Sequence, residues 1–131
     1  MIYLDSAALV KLVRLEHATS ELVEWLNERP GVPLVCSVLA EVEVPRAIRR
    51  VAPDALAAVP ATLARLYRLE IDATVRSSAA ALAEPSLRTL DAIHVATAVG
   101  IGTDLLAFVS YDQRLLQTAE ELGLPVASPG A

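Results

Sequence analysis

Three short apolar runs, "MIYL", "VPLVCS" and "LLAFVSY", restrict this chain more than any other feature. Each ends in residues that start helices well, at Asp5-Ser6, Ser37 and Asp112, and each is followed by a stretch of helical periodicity. Strands that alternate with helices cannot be joined by tight hairpins. They form a mostly parallel sheet covered by helices on both faces. The pattern predicts a three-layer α/β/α sandwich, with strands at 1–4, 32–37, 69–73, 105–111 and 124–128.

Helices are expected over 6–16, 18–29, 38–51, 54–69, 74–84, 87–98 (running on toward Gly100 and Gly102) and 112–123. Pro45 falls inside the third and predicts a kink or a late start, because proline removes a donor and crowds the preceding turn. Asp54 is the expected cap of the fourth, whose regularity Pro60 breaks. Pro85 closes the fifth, and Gly123 stops the last. There is no repeat, low-complexity segment or interdomain linker, so residues 1–131 read as one domain.

The core must be built from Ala, Leu and Val, since 54% of residues are hydrophobic and only 4% aromatic. That composition suits helices lying close on a sheet. No apolar run approaches the roughly 18 residues of a membrane span. "MIYLDSAALVKLVR" lacks the basic start and small-residue cleavage site of a signal peptide. Cys36 is the single cysteine and has no disulfide partner, so a buried structural thiol and a cytoplasmic location are expected. The net charge of −5 excludes a uniformly basic nucleic-acid-binding surface. The cations are nevertheless clustered, above all Arg46, Arg49 and Arg50, with Arg88 further on.

The acids are more informative. Asp5 directly follows the first strand and Asp112 follows "AFVSY", so both emerge at carboxyl ends of strands, where parallel sheets present their sites. Either alone is explained as a helix cap. Glu41 and Glu43 lie about 200° apart around their helix, so only one can face a given site. Residue types alone leave that choice open. Asp91 is the most expensive: it interrupts the apolar helix "LRTLDAIHVATA", where a carboxylate is destabilising unless paired. Arg88, three residues earlier, offers a local partner.

Taken together, acids from separate segments would repel one another at one site unless a cation screened them. Hard oxygen donors favour Mg²⁺ or Mn²⁺. No zinc spacing exists, since His17, His94 and Cys36 lie in different segments.

These residues carry a resemblance. "MIYLDSAALVKL", "SVLAEVEVPRAIRR", "LRTLDAIHVATA" and "FVSYDQRLLQTAEELGLPV" resemble, in order and over nearly the whole length, the four acid-bearing segments of the PIN-domain family, and more closely its VapC-type toxins. The resemblance selects Glu43, which stands just before "VPRA", over Glu41. It implies a metal-dependent endoribonuclease of a toxin–antitoxin pair, with Asp5, Glu43, Asp91 and Asp112 holding Mg²⁺ or Mn²⁺ and products bearing 5′-phosphate and 3′-hydroxyl ends. Ser6, Ser110 and His94 are secondary candidates. Arg46, Arg49, Arg50 and Arg88 are candidates to contact RNA or the cognate antitoxin. A homodimer is expected, through "HATSELVEWLNER" or the Ala/Leu-rich middle helices. Tyr111 departs from the family, many members of which carry a further Asn or Asp near the fourth acid.

Two other classes place acids at strand ends or share this fold. A phosphoacceptor domain needs paired acids after its first strand and a late lysine, and Lys11 is the only lysine. A PIN-like module that binds RNA or protein without catalysis would be marked by loss of a site acid.

Overall fold

Alternation within each strand decides which side chains meet which layer of helices. The computed structural model describes residues Met1–Ala131. Its strands are β1 (Ile2–Leu4), β2 (Leu34–Ser37), β3 (Tyr67–Leu69), β4 (Ala107–Val109) and β5 (Val126–Ala127), all parallel, in the order β3-β2-β1-β4-β5. The sheet is therefore wholly parallel, as the strand–helix alternation requires.

On one face Ile2, Leu4, Cys36, Ala107 and Val109 pack with helices α1 (Ser6–Val13), α2 (Thr19–Asn27), α3 (Ala40–Val51) and α4 (Val59–Leu63). On the other, Tyr3, Val35 and Phe108 pack with α6 (Thr89–Ile101) and α7 (Gln113–Glu121). Successive residues of a strand point to opposite sides, so a run as short as Ile2-Tyr3-Leu4 supplies both cores. Helix α5 (Ala73–Ala81) buries none of its residues and lies against α6 as an outer layer. No helix is long and apolar enough to cross a membrane.

Local chemistry sets several boundaries as expected. Asp5 caps α1 by accepting from the Ala8 N–H, and Asp112 caps α7 by accepting from Arg114 and Leu115. Ser37 Oγ accepts from the Leu39 N–H at the entry to α3. Gly123, at φ +83°, ends α7: its own N–H reaches Glu120 and the next reaches Ala119, the paired bonds of a left-handed helix stop.

The middle of the chain departs from the sequence reading. The helix expected over 54–69 is a 3₁₀ segment (Pro53–Ala58), the short α4, and then strand β3. Asp54 caps nothing; Ala52 stands at the cap position without a side-chain bond. Pro60 allows only a restarted turn, and Tyr67–Leu69 pair with Val35–Ser37 instead of continuing the helix. Ladder bonds at a sheet edge override a helical pattern that is apolar but weak. The strand thus precedes the expected 69–73 stretch, and Asp72 becomes the cap of α5. Helix α3 begins at Ala40 and passes through Pro45 without interruption. Pro45 is close enough to the helix start that only the Glu41 carbonyl loses its intrahelical partner.

Candidate active site

Asp5 and Ser110 leave adjacent parallel strands at the same edge of the sheet, because β1 and β4 are paired in register from Ile2–Ala107 to Leu4–Val109. Asp5 is 3% exposed. One of its carboxylate oxygens accepts from the Ala8 N–H at 2.9 Å, and the other accepts from the Ser110 hydroxyl. Ser110 Oγ in turn accepts from the Asp112 N–H at 3.1 Å, so one buried hydroxyl ties the two strand-end acids together. Burial raises the Asp5 carboxyl above the ordinary range, while the bonds from Ser110 and Ala8 oppose it.

Glu43 and Asp91 arrive from helices. Glu43 Oε1 accepts from Ser6 Oγ at 2.7 Å and lies 2.7 Å from His94 Nε2. Burial alone would raise its pKa, but the bonds from His94 and Ser6 outweigh that and hold it below the usual range. Asp91 is half-buried and forms no ion pair with Arg88 within 4.0 Å. Its carboxyl is pushed up by burial and by the charge of Asp112, against weaker lowering by His94 and Arg88; Glu43 adds a further small rise. The helical acid is therefore in the field of the strand-end acid.

All four acids share the carboxyl edge of the sheet, though no three His, Cys, Asp or Glu side chains are drawn together closely enough to ligate one ion directly. Their mutual electrostatic influence extends further than ligating distance, as Coulomb interactions do. Ser6, Ser110 and His94 all bond these acids, so the three secondary candidates belong to the same cluster.

The remaining residues divide. Arg46 and Arg50 line a groove of about 480 Å³ beside Ser6, Glu43, Val42 and Leu90. Arg49 and Arg88 are exposed but do not line it. Glu41 points away and pairs with Arg68 at 3.3 Å. Tyr111 donates to the Pro129 carbonyl at 2.7 Å, and its ring carries the Lys11 ammonium at 4.6 Å. The side chain is thus committed to the C-terminal segment. Cys36 is buried, and burial pushes its thiol up to about 11.

One participant was not singled out from sequence. Tyr3 is fully buried, stacked on Phe108 at 5.2 Å, and its hydroxyl lies 2.6 Å from His94 Nδ1. The signal was available in "MIYL": alternation turns residue 3 toward the face opposite Ile2 and Leu4, and a buried tyrosine hydroxyl must find a partner.

Comparisons of sequence point to the same fold. The PIN domain family model matches residues 2–121. Ribonuclease VapC35 of Mycobacterium tuberculosis (strain ATCC 25618 / H37Rv) is 53% identical over 132 residues, covering 99% of this chain and 98% of that protein. Ribonuclease VapC46 of the same strain is 42% identical over 98% of this chain and 97% of its own length. Ribonuclease VapC47 of strain CDC 1551 / Oshkosh is 40% identical over all of this chain and 98% of its own length. The chain belongs to the PIN-domain family, in its VapC ribonuclease group.

Proposed function

We propose that this chain is the toxin of a toxin–antitoxin pair, an endoribonuclease that hydrolyses RNA phosphodiester bonds at the edge formed by Asp5, Glu43, Asp91 and Asp112, with Mg²⁺ or Mn²⁺ bound there. The observation that carries this reading is the state of Asp91. A carboxylate in an apolar helix, unpaired with Arg88 and raised by burial and by Asp112, is a poor structural choice and a sound ligand. The donor set fits such an ion. It is all hard oxygen, and Mg²⁺ keeps several waters while taking only one or two carboxylates, so direct convergence of three is unnecessary.

Asp91, Asp112 and the second oxygen of Glu43 are the groups that would hold the ion, directly or through its waters, with Asp5, each of whose oxygens already accepts one hydrogen bond, as the fourth acid of the set. When bound, the ion supplies Lewis acidity toward the phosphate and acidifies water. The protein's own part is placement. Ser6 and His94 fix Glu43, Ser110 fixes Asp5 relative to Asp112, and Arg46 and Arg50 offer guanidinium forks to RNA phosphates. The products expected from the family are 5′-phosphate and 3′-hydroxyl ends. The cognate antitoxin is read onto the same groove, where exposed Val42 and Leu90 lie beside the arginines. Association as a homodimer through α2 or the middle helices, and action in the cytoplasm, complete the reading.

The test is cleavage of a broad RNA panel by protein freed of antitoxin, with Mg²⁺, with Mn²⁺ and with chelator. Metal-dependent cuts that vanish in Asp91→Asn support the reading. Identical patterns from wild type and Asp91→Asn overturn it.

A further inference from the structure

Behind Asp5 and Glu43 stands a second tier of hydrogen-bonding groups, and one line of it has a definite direction. Tyr3 is 0% and His94 3% exposed. Tyr3 Oη lies 2.6 Å from His94 Nδ1, and His94 Nε2 lies 2.7 Å from Glu43 Oε1. Ser6 Oγ donates to that same Glu43 oxygen at 2.7 Å and stands 3.4 Å from Nε2.

Satisfaction of the buried groups orders the protons. A carboxylate only accepts, so the ring nitrogen facing Glu43 carries hydrogen. The Tyr3 side chain is fully buried, and its hydroxyl meets Nδ1 at 2.6 Å. Its hydrogen has Nδ1 as its one side-chain acceptor, and a buried O–H left unpaired costs about 1–3 kcal/mol. Nδ1 must then offer a lone pair.

We infer that Tyr3 and His94 are positioning residues for Glu43: a one-way chain, Tyr3 O–H to Nδ1 and Nε2–H to Glu43 Oε1, fixes the imidazole in one orientation and leaves Glu43 Oε2 free for the ion.

Geometry supports the assignment. Ring stacking on Phe108, at an interplanar angle of 7°, fixes the phenol, and the imidazole meets its edge at 76° with centroids 5.9 Å apart. The two donors on Oε1 remove the carboxylate's freedom to swing, while Oε2 has no protein partner. His94 and Asp91 share helix α6, three residues apart, so the ring that anchors Glu43 also ties α3 to the helix bearing the other helix-borne acid. An outer hydrogen bond that orients a ligand usually changes metal affinity by about 10–100-fold.

This inference rests on the nuclease reading, and its test separates the two. In wild type without metal, ¹⁵N-detected imidazole spectra should show His94 as the Nε2–H tautomer. Tyr3→Phe keeps the ring and its stacking but removes the donor. It should leave the melting temperature within a few degrees, weaken Mn²⁺ binding (measured by electron paramagnetic resonance) about tenfold and lower kcat with KM for RNA little changed. His94→Gln, whose amide nitrogen can occupy the Nε2 place, should retain Mn²⁺ binding better than His94→Asn or His94→Ala. An Nδ1–H or doubly protonated ring in wild type overturns the inference. So does wild-type Mn²⁺ affinity and kcat in Tyr3→Phe, or equal loss in the Gln and Asn variants. Failure of wild type itself to bind Mn²⁺ or cut RNA overturns the nuclease reading instead; the tautomer measurement still decides the direction of the chain.

Discussion

The two acids at strand ends and the two acids on helices reach one edge of the molecule under opposite conditions. Asp5 and Asp112 do structural work: each caps the helix that follows it, and Ser110 links them. Glu43 and Asp91 cap nothing. Glu43 is held by side chains from other segments, and Asp91 has no hydrogen-bonding partner among the side chains. The strand-end acids owe their place to the helix each one starts, whereas the helix-borne acids depend on what other segments bring: two hydrogen bonds for Glu43 and none for Asp91. The site thus joins three acids held by hydrogen bonds with one, Asp91, that has none, and that unsupported acid points most directly to a role in function.

The largest expected effect erases the difference. Asp91→Asn and Asp112→Asn should each lower kcat/KM for RNA by roughly a thousandfold, the several kcal/mol that metal charge stabilisation supplies at the transition state. Steady-state cleavage of a single labelled RNA checks this, and a loss of less than tenfold in either would remove that acid from the site.

Stability should then separate the groups. Asp5→Ala removes a cap and orphans the buried Ser110 hydroxyl, so it should destabilise the metal-free protein by about 2 kcal/mol in urea unfolding. Asp112→Ala should lose about 1 kcal/mol, and Asp112→Asn, which still caps, nearly none. If Asp112→Ala melts like wild type, its cap is not what starts α7.

Asp91→Asn should act in the other direction. Removing a charge in the field of Asp112 should leave metal-free stability unchanged or raise it by about 0.5 kcal/mol, a figure kept small because the side chain is solvent-screened. A clear drop in melting temperature would mean that the carboxylate has a structural partner.

The smallest effect is the pH dependence. Asp5 and Asp91 have folded pKa values raised above their unfolded ones, Asp5 by burial and Asp91 by burial and Asp112. Between those values the native state binds more protons, so metal-free stability should rise as pH falls from neutral into the ordinary carboxylate range. Glu43 is lowered despite its burial, through His94 and Ser6, so its contribution is present above the unfolded value and is lost only at lower pH. Thermal melts of wild type, Asp91→Asn and Glu43→Gln at a series of pH values should show the first limb flattened by Asp91→Asn and the acid limb altered by Glu43→Gln.

Much of this was legible from residues. Asp5 and Asp112 could be placed because a cap at the end of an apolar run marks a strand's carboxyl end locally. Asp91 stood out because it violates the pattern around it. The choice of Glu43 over Glu41 was not local: it came from the resemblance, and the structure pairs Glu41 with Arg68 on the surface. Residues 54–69 depart from their helical periodicity for a related reason. Tyr67–Leu69 open a short alternating run, Tyr-Arg-Leu-Glu-Ile, that also completes the preceding helical periodicity, and the open edge of β2 decides between the two.

Neighbours within a turn or two are enough for the alternation of strands and helices, for the caps at Asp5, Ser37 and Asp112, and for an apolar helix carrying one expensive acid. That Tyr3, His94, Ser6 and Glu43 share one network, buried at its Tyr3 and His94 end, is a product of the tertiary fold. Those residues are separated by as many as 91 positions, between Tyr3 and His94, and the requirement that buried donors find acceptors can be met only once the sheet brings them together.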